Sequence, residues 1–280
     1  MQIIYKKDRD FPEMLINEKP AIQKLYLQGD IQNLKLPKIA IVGSRQCTTY
    51  GIKIAYEFGY QLAKAGICIT SGMAIGIDKY AHLGALDASG KTIAVLGGGF
   101  NNISPQENIG LYNRIIAEGG TVITEYEPDE IPNNNNFPKR NRIVSGISLG
   151  VLIVEAEYRS GTSITANYAK KQQKPVFCIP SNIDSSKGIG TNRLIKEGAI
   201  LVTNINDILD VIKEEKFEEN IPTEYIEIYS IIESGITNLN GICKKLNQKT
   251  NQIISTLTMM EIDGYIQALP GQEFILKRNT

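Results

Sequence analysis

The chain has 280 residues, enough for one large domain with a small companion, and a hydrophobic content of 42% that is too high for a disordered chain. Thirty Lys and Arg balance thirty Asp and Glu, so no global field draws in a polyanion and any anion site must be local. The start, MQIIYKKD, lacks a signal-peptide core, and no apolar run approaches the ~18 residues of a membrane span. Cys47, Cys68, Cys178 and Cys243 form no C-x-x-C pair, and with a single histidine, His82, they offer no metal set. They read as buried, reduced thiols of a cytoplasmic protein without metal or other cofactor.

In chain order, residues 1–35 read as an N-terminal extension packing on the core. Short, β-branched apolar runs then recur at 39–42, 67–70, 92–96, 121–124, 151–154, 176–179 and 200–202, near-continuous as in strands covered on both faces. Helical stretches separate most of them, at 52–65, 75–86, 106–118, 162–172 and around 193–197. The alternation predicts an α/β fold: a Rossmann-like, doubly wound, mostly parallel sheet over 36–212. The charged run KEEKFEEN at 213–220, followed by Pro222, reads as a linker over 213–222. Helices at 224–233, 239–246 and 250–263, then a hairpin turning at Pro270-Gly271, predict a winged-helix domain over 223–280.

Ligands of doubly wound sheets bind outside the carboxyl ends of the strands, so those ends hold the candidate residues. The first expected strand ends in Gly43, Ser44 and Arg45. Glycine lets a ligand approach the backbone, Thr48 or Thr49 can cap the following helix, whose N-terminus favours anions, and Arg45 offers a bidentate fork to a phosphate. The second ends in TSGMAIGID, where Ser71 and Gly72 lead into a helix start with backbone N–H groups able to face an anion. Asp78 and His82, four residues apart, share a helix face. An acid–base pair is conceivable there, but an Asp that stabilises the helix start and orients His82 is the reading adopted. The third expected strand ends in three glycines, Gly97–Gly99. The polar stretch 124–146 is long for a loop in a compact domain and ends in Phe137, Pro138, Lys139, Arg140, Asn141 and Arg142. An aromatic followed by three cations and an amide suits phosphates and a stacked base.

Six stretches occur in order: IAIVGSR, SGMAIGID, TIAVLGGG, FPKRNRIVSGIS, VEAEYRSGTSITA and GTNRLIKEGA. Together, over roughly residues 11–210, they resemble the DNA-processing protein A family, also called Smf, and the tail resembles the family's small winged-helix domain. The resemblance implies a protein that binds and protects single-stranded DNA, dimerises, and loads the RecA recombinase onto incoming DNA in natural transformation (competence) and recombination. It implies DNA contacts at Gly43, Ser44 and Arg45, at Ser71 and Gly72, and at Phe137, Lys139, Arg140, Asn141 and Arg142, with no catalytic residue. Many members carry a further helical domain before the Rossmann-like part, which starts here almost at once. Ile179-Pro180-Ser181 stands where V-P-G is frequent, and Gly161-Thr162-Ser163-Ile164-Thr165 where G-S-L-I-T is usual.

The alternative is a nucleotide-binding hydrolase. Nucleoside monophosphate phosphoribohydrolases resemble this layout but use P-G-G-x-G-T-x-x-E. Here Thr165 takes the place of the glutamate, and glycosidic chemistry loses its charge stabiliser. An arginine at the first strand end suits a polyanion laid across the sheet edge, whereas a buried dinucleotide calls for the full glycine fingerprint. Residues 36–212 hold 17 cations and 15 anions, so binding must be focused locally and summed over a dimer. The tail from Pro222 on holds five cations against six anions, the wrong sign for neutralising phosphates. Its last helix carries Ile253, Ile254, Leu257, Met259, Met260 and Ile262, more apolar residues than one core face needs. A protein-contact module is expected there.

Overall fold

The structure is a computed structural model that describes residues 1–158, 161–219, 222–248 and 250–276, without the side chains of 213–219. It divides into two compact units, 1–212 and 213–280.

The first unit is built on β1 (Gln2–Tyr5), β2 (Lys24–Gly29), β3 (Lys38–Val42), β4 (Cys68–Ser71), β5 (Thr92–Val95), β6 (Thr121–Thr124), β7 (Gly150–Ile153), β8 (Val176–Cys178) and β9 (Ile200–Leu201). Their spatial order is β1-β2-β6-β5-β4-β3-β7-β8-β9. All pairs from β6 through β9 are parallel; β2 joins β6, and β1 joins β2, antiparallel. This is the expected doubly wound sheet. The helices are α1 (Thr49–Lys64), α2 (Ile77–Asp87), α3 (Ile109–Ala117), α4 (Asn136–Gly146), α5 (Gly161–Lys171), α6 (Ile189–Lys196) and α7 (Asn206–Glu219). Alternation along each strand feeds the two faces. Ile39 and Ile41 of β3 pack with Ala55, Phe58 and Leu62 of α1, while Ala40 and Val42 pack with Ile143 and Val144 of α4 and Ala166 and Ala169 of α5.

Three expectations are corrected. The N-terminal segment is part of the sheet: Leu25 and Leu27 of β2 enter one core and Tyr26 another, so this strand is covered on both faces. The stretch read as a loop to residue 146 is helical from Asn136 on, with Pro138 in the first turn, where its missing N–H costs nothing. The charged run read as a linker continues α7 to Glu219. Lys and Glu are strong helix formers, so a segment with no apolar stripe still prolongs a helix already nucleated. Asn220 and Ile221, also assigned to the linker, lie outside the described residues.

The second unit holds α8 (Ile226–Glu233), α9 (Leu239–Leu246), α10 (Thr250–Ile262) and the antiparallel pair β10 (Ile266–Leu269) and β11 (Glu273–Leu276). Its core joins Ile228, Ile232, Leu239, Ile242, Ile253, Leu257, Met260 and Ile266. Asn238 caps α9 by accepting from Gly241 N at 2.7 Å. Ile253, Leu257 and Met260 thus form the inner face of α10, while Ile254, Met259 and Ile262 are exposed. Of the cysteines, Cys68 and Cys178 are buried and Cys47 and Cys243 half-buried, all four unbridged.

His82 sits on the buried face of α2 with no exposure. Its Nδ1 lies 2.6 Å from Thr92 Oγ1, which donates to Ile69 O at 2.7 Å. Burial, and then the nearby Arg140 charge, push the imidazole down to about 3. The ring is a neutral core group that ties α2 to β4 and β5, and it forms no pair with Asp78. The unfolded chain protonates it near pH 6.5 and the folded chain does not, so its share of stability is full above that value and is lost as pH falls towards 3. Between pH 6.5 and pH 5 this amounts to about 2 kcal/mol. As the chain has one histidine, denaturant titrations of the wild type and His82→Gln across that window are expected to show a slope that the variant lacks.

Candidate nucleic-acid interface

At the carboxyl edge of the sheet lies a cleft of about 540 Å³. It opens where the strand order reverses, with β3 flanked by β4 on one side and β7 on the other. Its walls come from the β3 exit (Gly43 to Gln46), the β4 exit (Gly72, Ala74, Asp78), the start of α4 (Phe137, Arg140, Asn141), Glu157 after β7, and the start of α5 (Gly161, Thr162, Thr165). The exits are locked together: Ser44 N donates to Glu155 O at 2.9 Å, and Ile77 N to Ser44 O at 3.2 Å.

The glycine-bearing exits were expected to present open N–H groups to an anion, but the fold fills two of these positions itself. Thr48 caps α1, accepting from Gly51 N at 3.1 Å. Above that cap lies the buried carboxylate of Glu155, which accepts from Thr48 N at 2.9 Å and Thr48 Oγ1 at 2.5 Å. Gly51 makes room for it, since a Cβ there would stand 2.4 Å from Glu155 Oε2. At the β4 exit, Asp78 Oδ2 accepts from Gly72 N at 3.1 Å and Ala74 N at 3.4 Å. An internal carboxylate thus takes the part of a phosphate at the start of α1, and another ties the β4-exit loop back to the first turn of α2.

The cations divide accordingly. Arg45 is exposed, with its guanidinium 5.3 Å from the Phe137 ring centroid, a cation–π pair at the mouth of the cleft. Lys139 is exposed on α4. Arg140 is 4% exposed; its Nη1 donates to Gly72 O at 2.7 Å and also to Val95 O, and its Nε donates to Asn141 Oδ1 at 3.1 Å. Burial pulls its pKa down to about 10 against the opposing pull of Asp78. The same burial raises the Asp78 carboxyl, with Arg140 working the other way. Arg142 is buried and ion-paired to Glu125 at 2.5 Å. Ser71 is buried, donating to Ile41 O at 2.6 Å, whereas the half-buried Ser44 accepts from Gln46 N at 3.2 Å.

Gly43, Ser44, Arg45, Gly72, Phe137, Arg140 and Asn141 therefore converge on one cleft, and Ser71, Lys139 and Arg142 do not line it. Sequence reasoning missed Glu157, whose carboxylate on the cleft wall is ion-paired with Lys187. Its only local signal was an acidic residue four positions after the end of β7. Thr165, 1% exposed, lines the cleft where the hydrolase motif has its glutamate. The two carboxylates that do line the wall are engaged, Asp78 by backbone N–H groups and Glu157 by Lys187. Among the described residues no cluster of His, Cys, Asp and Glu has the makings of a metal site, and no helix is long and apolar enough to cross a membrane.

A family model for DNA recombination-mediator protein A matches residues 2–213. Protein Smf of Escherichia coli is 34% identical over 282 residues, covering 96% of this chain and 75% of that one. DNA processing protein DprA of Streptococcus pneumoniae is 42% identical over 185 residues, covering 66% of this chain and 65% of its own length. The crystal structure of the pneumococcal protein aligns with a TM-score of 0.71 at 39% identity, over 75% of this chain and 73% of that one. DNA processing protein A of Helicobacter pylori, which has a single-stranded DNA binding mode, aligns with a TM-score of 0.68 at 33% identity, over 77% of this chain and 97% of that one. With a family model matched over residues 2–213 and relatives 34–42% identical, this chain belongs to the DNA recombination-mediator protein A (DprA/Smf) family.

Proposed function

We propose that this protein binds single-stranded DNA across the carboxyl edge of its sheet, protects it, and delivers it to a RecA-type recombinase, acting as a homodimer in natural transformation and recombination. The observation that carries the reading is the exposed Arg45 guanidinium beside the Phe137 ring, at the mouth of a cleft where internal carboxylates already take backbone N–H groups at the start of α1 and at the β4 exit. A free mononucleotide gains most from open backbone N–H groups. A polymer is held instead by rim cations and a stacking ring, repeated along its length. The DNA processing protein A of H. pylori, a relative in fold and sequence, is a single-strand binder, which supports carrying that activity over. Backbone charge and one aromatic give little base readout, so binding is expected to be indifferent to sequence. The winged-helix reading of the second unit, and its role as a protein-contact module, rest on its helix and hairpin order, its charge balance and the exposed Ile254, Met259 and Ile262.

Arg45→Ala is expected to weaken binding of single-stranded oligonucleotides at least tenfold with an unchanged melting temperature, since a charge-assisted contact contributes about 1.5–3 kcal/mol. Lys139→Ala is expected to cost less and to flatten the salt dependence by about 0.7 per lost phosphate contact. A double variant with wild-type affinity and normal melting would refute the site. Arg140→Met is expected to behave differently. It leaves two backbone carbonyls and the Asp78 carboxylate without their buried partner, so the protein melts early, by about 3 kcal/mol of stability.

Because α7 runs to Glu219, a chain cut after that residue keeps the helix whole. It is expected to retain most of the single-strand affinity in a gel-shift assay. Tight binding of duplex DNA by the second unit alone would show that the tail reads DNA and does not serve as a contact module.

A further inference from the structure

A second arginine–aromatic pair lies on the β7 side of the cleft. From Glu155, whose carbonyl accepts from Ser44 N, the chain passes Ala156 and the cleft-lining Glu157 to reach Tyr158. Three residues span at most roughly 10 Å, so Tyr158 stays near the contact that joins the β3 and β7 exits. Its side chain carries a large aromatic ring, and the residue is 52% exposed. The Arg193 guanidinium, from α6, lies 5.0 Å from its ring centroid and donates to Tyr158 O at 3.3 Å. This repeats the geometry of Arg45 and Phe137.

The segment is fixed. Ala156 N donates to Lys187 O and Gly190 N to Ala156 O, both at 2.8 Å, so the start of α6 is clamped onto the β7 exit. The charges around it favour an anion. Lys187 neutralises Glu157, while Lys170 and Arg193 share the single carboxylate of Glu197, at 3.4 and 3.1 Å. Among these described groups the cations exceed the carboxylates by one, beside an exposed ring and next to a cleft read as a DNA site.

We propose that Tyr158 and Arg193 form a second stacking platform for the same DNA strand. A strand held by Arg45 and Phe137 continues past the β7 exit, with a base against the Tyr158 ring and a phosphate beside Arg193. Every base has a π face, so the platform needs no sequence preference, and it lengthens the footprint of one protomer beyond the cleft. The proposal rests on the reading of the cleft as a single-strand site.

The chain contains no tryptophan, so Tyr158→Trp places a lone indole at the platform. Oligothymidylates of about 6 and about 16 nucleotides serve as probes, the shorter matching the cleft alone. The indole emission is expected to be quenched on saturation with the longer oligomer. In Tyr158→Ala, the affinity advantage of the longer oligomer over the shorter is expected to shrink about tenfold. Unchanged indole emission at saturation overturns the proposal. So does an equal loss for both oligomers, which would place Tyr158 in the cleft itself, and so does early melting of Tyr158→Ala with its length dependence intact, which would make the ring a structural cover. Arg45→Ala is measured alongside with the shorter oligomer. If that variant binds as the wild type does, the reading of the cleft fails, a result separate from any obtained at Tyr158.

Discussion

The buried guanidinium of Arg140 is the interaction on which the cleft depends. It reaches from α4 to the carbonyls at the exits of β4 and β5, beside the buried carboxylate of Asp78. A charge so deeply placed persists only where its hydrogen bonds and countercharge repay desolvation. That requirement fixes its neighbours. Gly72 has no room for a side chain, because a Cβ would stand 2.4 Å from Arg140 Nη2 and 2.8 Å from Asp78 Oδ2. Phe137, one helical turn before Arg140, is brought to the cleft wall by the same anchoring. Even at a pKa near 10 the guanidinium stays charged at neutral pH, so it contributes positive potential to the cleft without being an exposed contact.

Electrostatics at the strand exits follows a consistent plan. In dinucleotide-binding folds the first helix start holds a phosphate. Here Glu155 holds that position, and Asp78 does the same at the next exit. The two carboxylates satisfy the N–H of Thr48, at the N-cap of α1, and those of Gly72 and Ala74, in the loop before α2, and they make both places poor anion sites. Positive charge is instead carried by side chains on the rim, above all Arg45. Such an arrangement grips the backbone of a passing polymer and leaves the interior of the cleft to a base, in keeping with the proposed reading.

The division of labour within FPKRNR shows how a helix sorts a basic cluster. As an extended loop, all three cations would have been available to a ligand. Wound into α4, Lys139 points to solvent while Arg140 and Arg142 face inward, one beneath the cleft and one against Glu125. Lengthening of α7 across the charged run is a second case in which backbone preference, and not apolar patterning, set the local structure. In the second unit the surplus of apolar residues on α10 was legible from composition, and the structure assigns Ile253, Leu257 and Met260 to the inside and Ile254, Met259 and Ile262 to the outside.

The sequence by itself determined the sheet and its ligand edge. Strands buried on both faces must be apolar almost throughout, and a parallel sheet must return through helices, so β3 to β9 and the helices between them, α4 excepted, are written in local pattern. The glycines and the arginine at the β3 exit were likewise legible, because a close backbone approach tolerates few residue types. Only the tertiary structure decided which polar groups face the cleft. It placed β1 and β2 in the sheet, set Glu155 at the start of α1 and Asp78 against the β4 exit, drew Arg140 and Arg142 inside, and set Tyr158 against Arg193. Each of these outcomes joins residues far apart in the chain, or depends on the phase of a helix relative to the sheet edge. Local composition is blind to both, since a charge looks the same in sequence whether its partner is water or a carboxylate 17 residues away, the separation of Glu125 and Arg142.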